Sequence, residues 1–272
     1  ILDQKIRESF ASKNLEELCL LIEFRFETTV IKRSVEIEKW LESLGEHPQR
    51  DILEILYVRK ISTTSKQKEL RKWARANLSD VLVRARKLAF LLSSVPEQSK
   101  YDMLGFILFS RQREKTALLA EIIGILDRSI DFKKLFEVAR EKGTDAKSEV
   151  EEVLKGALNP KLADDVMYAT LTNRGSGKVM EFENLFEELS THDSSWFKCS
   201  LLLAMYSKNY ESHSEYVDSA LKDSDPIVRE CALHVLIEHE KNNEKLRENC
   251  LRMKSDKSLG IAEMATIQLQ VA

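Results

Sequence analysis

Apolar residues recur three and four positions apart along most of the chain. Leu15, Leu18, Cys19, Leu21 and Ile22 form one such row, the spacing of a helix that buries one face. The pattern predicts helices over about 2–11, 14–25 and 27–43, with Asn14 capping the second and Gly45 ending the third. Pro48 is placed to open a short helix through Ile52, Leu53, Ile55 and Leu56. Further on, Tyr101, Leu104, Ile107 and Leu108 predict a helix around Lys100–Ser110. A longer one over Glu114–Asp127 carries Leu118, Leu119, Ile122, Ile123 and Ile125, enough apolar surface to be buried on most sides. Helices near 131–140, 145–158 and 161–170 follow, interrupted at Gly143-Thr144-Asp145 and at Asn159-Pro160. Thr172–Lys178 (TNRGSGK) is polar and rich in Gly and Ser, so it reads as an exposed loop or internal boundary.

The segment Ser224–Leu236 (SDPIVRECALHVL) is the most informative of these patterns. Asp225 is suited to capping a helix, and Pro226 to its first turn, where a missing N–H costs nothing. Arg229 sits one turn inside, within reach of Asp223 or Asp225. Ser79–Leu92 repeats the motif: Ser79-Asp80 matches Ser224-Asp225, Val83-Arg84 matches Val228-Arg229, and Leu88 matches Leu233. Leu189–Met205 aligns with Leu221–Ile237, which places Trp196-Phe197-Lys198 over Ile227-Val228-Arg229. Leu251–Leu269 is a weaker third copy that lacks the Val-Arg step. An interval of about thirty residues holding two helices is the size of one unit of an α-solenoid.

On these residues the chain resembles the HEAT-repeat superfamily. The resemblance implies an all-α fold, a right-handed α–α superhelix of the HEAT/armadillo-like solenoid type. The organisation it implies is an irregular helical segment over 1–78 and helical repeats over 79–171, HEAT-like at 79–110. A loop at 172–178 and regular HEAT-like repeats over 179–272 follow. Asp80, Arg84, Lys198, Asp225, Pro226 and Arg229 are its repeat-structural positions, and the second helices of the pairs would line a concave surface. The segment Ser148–Thr170, followed by WFKCSLLLAM and IVRECALHVL, is similar to the soluble region of a bacterial membrane-protein group. There a transporter domain resembling the ATP/ADP translocases precedes cytosolic HEAT repeats. That likeness implies a cytoplasmic module, tethered to the inner membrane through an N-terminal domain beyond this sequence. Its expected role is a non-catalytic scaffold with regulatory or assembly duties, its partner a protein, an anionic membrane surface or the linked membrane domain.

Composition agrees with helices. Of 272 residues 43% are hydrophobic and 32% charged, and eight Gly with four Pro are too few to bound the many turns of a sandwich or barrel. Cys19, Cys199, Cys231 and Cys250 lie apart in apolar patterns with no CxxC, as buried free thiols do. No apolar run approaches the ~18 residues of a membrane span. The net charge of −3 gives no global attraction to nucleic acid.

Charge is uneven, however. Between Arg59 and Lys87 stand ten basic residues against two acids, a local +8. Lys66, Lys68, Arg71, Lys72, Arg75, Arg84, Arg86 and Lys87 are the candidate patch for an anionic partner. The plainer alternative is that they solvate separate faces or pair with acidic helices. Trp73, between Arg71-Lys72 and Arg75, is a packing residue or a platform for a base. Trp40 and Trp196 sit in apolar periodicity and are expected in the core. A second functional reading follows: nucleic-acid binding in the manner of the HEAT-like alkylpurine DNA glycosylases, with 59–87 facing the phosphates.

Catalytic and metal motifs are lacking. Gly175-Ser176-Gly177-Lys178 is no Walker A, because Thr172 stands where the first Gly belongs and Val179 follows the Lys. Cys231 and His234, with His239 nearby, lack the further ligands that zinc needs. His47, His192 and His213 read as isolated loop or surface residues. No nucleophile elbow or Cys-His signature appears, and pairs such as Glu151/Glu152 and Glu187/Glu188 read as solvated faces. No catalytic residue, cofactor or metal ligand is therefore assigned.

Overall fold

The structure is a computed structural model. It describes residues 1–45, 47, 49–142, 144–191, 194–205, 210–241 and 244–271, with side chains at all of these but 142, 144–147 and 271. Pro48, the Gly143 break and His192 lie outside the described residues. Among the described residues all regular structure is helical, so the chain is all-α.

The chain divides into two compact units, one of residues 1–94 with 108–177, the other of 95–107 with 178–272. The first unit begins with α1 (Leu2–Ser12), α2 (Leu15–Thr28), α3 (Val35–Ser43) and α4 (Arg50–Thr64). Asn14 caps α2 by accepting the Glu17 N–H at 3.4 Å. The expected third helix is shorter than its pattern, because residues 30–34 run without helical structure and hand the Ser34 N–H to the Tyr57 hydroxyl. Tyr57 is buried and anchors this core, stacking on Phe26 at 5.9 Å and meeting the edge of Trp73 at 6.3 Å.

Two expected breaks are absent. α5 runs unbroken from Gln67 to Ser94, so Ser79 and Asp80 lie mid-helix instead of capping a new one. No Pro or Gly interrupts this run. Exposed Asp80 accepts Arg84 Nε one turn on, at 3.0 Å, instead of bonding backbone in a non-helical turn. The HEAT-like helix pair expected at 79–110 is accordingly the end of α5, a 3₁₀ turn at Ser99–Tyr101, and the start of α6. α6 (Asp102–Leu126) merges the two helices expected at Lys100–Ser110 and Glu114–Asp127.

α7 (Phe132–Lys142), α8 (Thr144–Ala157) and α9 (Pro160–Leu171) complete the first unit. Asn159 accepts the Leu162 N–H at 3.0 Å and Pro160 occupies the first turn. α9 packs on α5. The loop after α9 touches the end of α5 closely, where the Gly177 N–H donates to the Ser93 carbonyl at 3.1 Å. A Cβ at 177 would lie 2.6 Å from Ser93 Oγ. The Gly here provides a close approach of backbone to helix, not a phosphate cradle.

In the second unit α10 (Phe182–Leu189), α11 (Ser195–Met205), α12 (Ser214–Ala220), α13 (Pro226–His239), α14 (Glu244–Met253) and α15 (Leu259–Val271) follow in order. α10 packs on α11, α12 on α13 and α14 on α15, while α11 packs on α13 and α13 on α15. Asp225 caps α13 by accepting the Ile227 N–H at 2.9 Å, with Pro226 in the first turn. Trp196, expected in the core, is 50% exposed at the start of α11. Its neighbour Phe197 takes the inward position.

Candidate interaction surface and the charge cluster beneath it

α5 separates the basic residues of the +8 segment by helical position. At about 100° per residue, Lys68, Lys72, Arg75 and Arg86 fall on one side, with Arg71 at its margin. Lys66, Lys68, Arg71, Lys72, Arg75, Arg86 and Lys87 are all exposed. Lys66, Lys68, Lys72 and Arg75 form no ion pair among the described residues. Arg71 is near enough to Asp127 to lower its carboxyl, behind the hydrogen bonds from Ser129. Arg86 reaches Asp165 on α9 at 3.0 Å, and Arg59 pairs with Glu121 at 2.6 Å. Val83 and Phe90 are exposed on the same side of the helix. Trp73 faces the other way, 6% exposed and packed edge-on to Tyr57. It is a core residue and offers no platform to a base.

Arg84 also turns inward, into a cluster of four acids and four bases from α4, α5 and α6. Its Nη1 lies 3.2 Å from Glu54 Oε2 and 4.0 Å from Asp51 Oδ1, while Nε meets Asp80. Glu54 also accepts Arg50 Nε at 2.9 Å. Asp51 is fully buried and takes Lys115 Nζ on Oδ1. Arg111 Nη2 stands 3.1 Å from Asp51 Oδ2, off the line of a hydrogen bond, so that oxygen accepts none. Arg111 Nη1 meets Glu114 at 3.1 Å. Burial holds the Lys115 ammonium below its ordinary range against the pull of Asp51, and pushes Glu114 up against the pull of Arg111. For Arg84 burial acts downward, but Glu54, Asp80 and Asp51 outweigh it. Asp51 is closed to solvent and Lys115 is 3% exposed, so the centre of this cluster ties helices together.

The second unit repeats a smaller tie. Lys198 on α11 donates to Asp223 Oδ2 at 2.8 Å, ahead of α13. Arg229 on α13 donates to both oxygens of Asp256, at 2.9 and 2.8 Å, ahead of α15. Arg229 Nη1 also reaches back to the Asp223 and Ser224 carbonyls, each at 2.9 Å. The backward reach expected of Arg229 therefore ends on backbone oxygen, and its carboxylate partner belongs to the following turn.

Sequence reasoning missed one Cys-His contact. Cys19 Sγ lies 3.4 Å from His47 Nδ1, and His47 is half-buried, not a free loop residue. Cys19 is fully buried, and burial, with Glu16 and Glu23 adding to it, pushes its thiol up to about 12. Such a thiol is protonated near neutrality. His213, expected as a loop or surface residue, is half-buried and stacks on Phe186 at 4.1 Å. His234 is exposed, whereas Cys231 faces Cys199 and shares a hydrogen bond with it. Among the described residues no three His, Cys, Asp or Glu side chains are grouped to hold a metal ion. No described helix is long and apolar enough to cross a membrane. No protein-family model, curated protein or solved structure matches the chain.

Proposed function

We propose that this chain is a non-catalytic helical-repeat interaction module that docks on an anionic membrane surface through the exposed face of α5. The carrying observation is the row Lys68, Lys72 and Arg75 on one exposed helix side, without ion pairs among the described residues. Exposed Val83 and Phe90 farther along that side favour a lipid boundary, where apolar side chains enter beneath bound headgroups. The serial packing of α11, α13 and α15 supports a HEAT-type right-handed superhelix in the second unit. A cytosolic regulatory or assembly role beside a bacterial membrane domain agrees with such a surface.

The test is co-sedimentation with vesicles containing phosphatidylserine, compared with vesicles of phosphatidylcholine alone. Each cation near an anionic surface contributes about 1 kcal/mol. The triple variant Lys68→Glu, Lys72→Glu, Arg75→Glu should therefore bind at least ~10-fold more weakly, with the far-ultraviolet spectrum unchanged. Equal binding to both vesicle types, or binding untouched by the triple variant, removes the proposal. Salt-sensitive retention on duplex DNA without vesicle binding would replace it with the nucleic-acid reading.

A further inference from the structure

The second unit holds two thiols in contact, where α11 packs on α13. Cys199 on α11 donates its S–H to the sulfur of Cys231 on α13. The four cysteines of the chain are free, but their settings differ. Cys19, Cys199 and Cys250 are buried, whereas Cys231 is part-exposed. Burial raises the thiols of Cys19 and Cys250.

Within the pair the two sulfurs are unlike. The hydrogen bond from Cys199 holds the Cys231 thiol below its ordinary range, against burial and the nearby charges of Glu230 and Asp225. Cys199 is raised by giving that bond and by burial, with Asp225 and Asp223 adding to it. The thiolate is the nucleophilic form of cysteine. Sulfurs that respond to oxidants are accessible, easily ionised and often set beside a second, resolving thiol. Cys231 has the first character and Cys199 stands in the second place.

We propose that Cys231 and Cys199 form an oxidation site for small hydroperoxides, with Cys231 as the attacking sulfur and Cys199 as the resolving one. The Cys231 thiolate attacks one peroxide oxygen and the O–O bond breaks. The departing hydroxide takes up the proton that Cys231 released and leaves as water, and Cys231 becomes a sulfenic acid. The Cys199 sulfur then attacks the Cys231 sulfur. The S–S bond forms, the S–O bond breaks, and hydroxide leaves with the Cys199 proton as a second water. Two thiols thus lose two electrons and two protons, and one peroxide becomes two waters. The product ties α11 covalently to α13, two helices that already pack side by side.

The test uses the whole chain, reduced and then freed of reductant. Hydrogen peroxide is raised to the level that begins to oxidise the buried Cys19 and Cys250, remaining thiols are alkylated, and the chain is digested with trypsin without reduction. The tryptic peptides that begin at Cys199 and at Glu230 should appear joined, two hydrogens lighter than their sum, and dithiothreitol should part them. Cys231 should be consumed at least ~10-fold faster than Cys19 or Cys250. In Cys199→Ser, dimedone should trap a sulfenic acid at residue 231. In Cys231→Ser, Cys199 should remain open to alkylation. If either variant fails to fold, the peptide map of the unaltered chain decides alone. Both thiols left free, a Cys231–Cys231 link between two chains, or a joined peptide formed only in urea would overturn the assignment. Dimedone on Cys199 in Cys231→Ser, with none on Cys231 in Cys199→Ser, would overturn it equally.

Discussion

Asp51 is fully buried, and among the described residues its charge is answered by Lys115, Arg111 and, at the limit of an ion pair, Arg84. Replacing it with Asn leaves Lys115 in a dry interior without its ion-pair partner, while Arg111 keeps Glu114 and Arg84 keeps Glu54 and Asp80. The expected loss is about 3–5 kcal/mol in urea denaturation. Removing the Lys115 charge as well, in Asp51→Leu with Lys115→Met, should recover part of it, because an apolar pair of similar volume replaces a buried ion pair at little cost. A single-variant loss below about 1 kcal/mol would show that Asp51 is not the counter-charge described. Gly177 is a second sensitive position. A methyl there meets Ser93 Oγ at 2.6 Å and Cβ at 3.0 Å. Gly177→Ala should therefore cost about 1–3 kcal/mol by overpacking, with Ser93→Gly in the same chain relieving the clash. Thermal unfolding of the two variants checks this, and a neutral Gly177→Ala would mean that the loop simply moves aside.

Among elements, α11, α13 and α15 are joined by ion pairs whose acids precede the next helix. The Arg229 hydrogen bonds hold the Asp256 carboxyl below its ordinary value of 3.8, against a small opposing effect of burial. At Asp223 burial pushes upward, and the bonds from Lys198 and the Asp225 N–H overcome it. A carboxyl depressed in the fold contributes stability that is present above its unfolded value and is lost as pH falls through the folded value. Arg229→Met should thus cost about 1–2 kcal/mol at pH 7, and the gap to wild type should close as pH drops below about 3.8. Urea titrations at both ends of that range check it, and a gap equal at both would assign the loss to packing of the arginine stem. These ties also explain what could be read from the sequence. Ser224-Asp225 marks a true helix start because Pro226 follows and cannot sit inside a helix. Ser79-Asp80 carries the same dipeptide without a Pro, so α5 runs through it. Asn159-Pro160 was legible for the same reason as Asp225-Pro226. The row of Lys68, Lys72 and Arg75 is visible at three- and four-residue spacing once the helix is known to be continuous. The Asp51 cluster is not visible, since the pairings that join its helices lie 30 to 64 residues apart and no local periodicity relates them.

For the whole molecule, the exposed row and the buried cluster share one long helix, so that α5 is fixed on its inner side by Arg84 and presents cations on its outer side. Lys68 and Arg86 stand about 27 Å apart along its axis at 1.5 Å per residue, with no Gly or Pro between them to act as a joint. A rod of that length cannot follow the contour of what it meets. On the membrane reading proposed above, its outward charges would be engaged together where the opposing surface is level over the same distance, as a bilayer is. A rounded acidic protein would meet one end and lose the other. On that reading the helix would act as a straightedge, favouring a level partner over a rounded one.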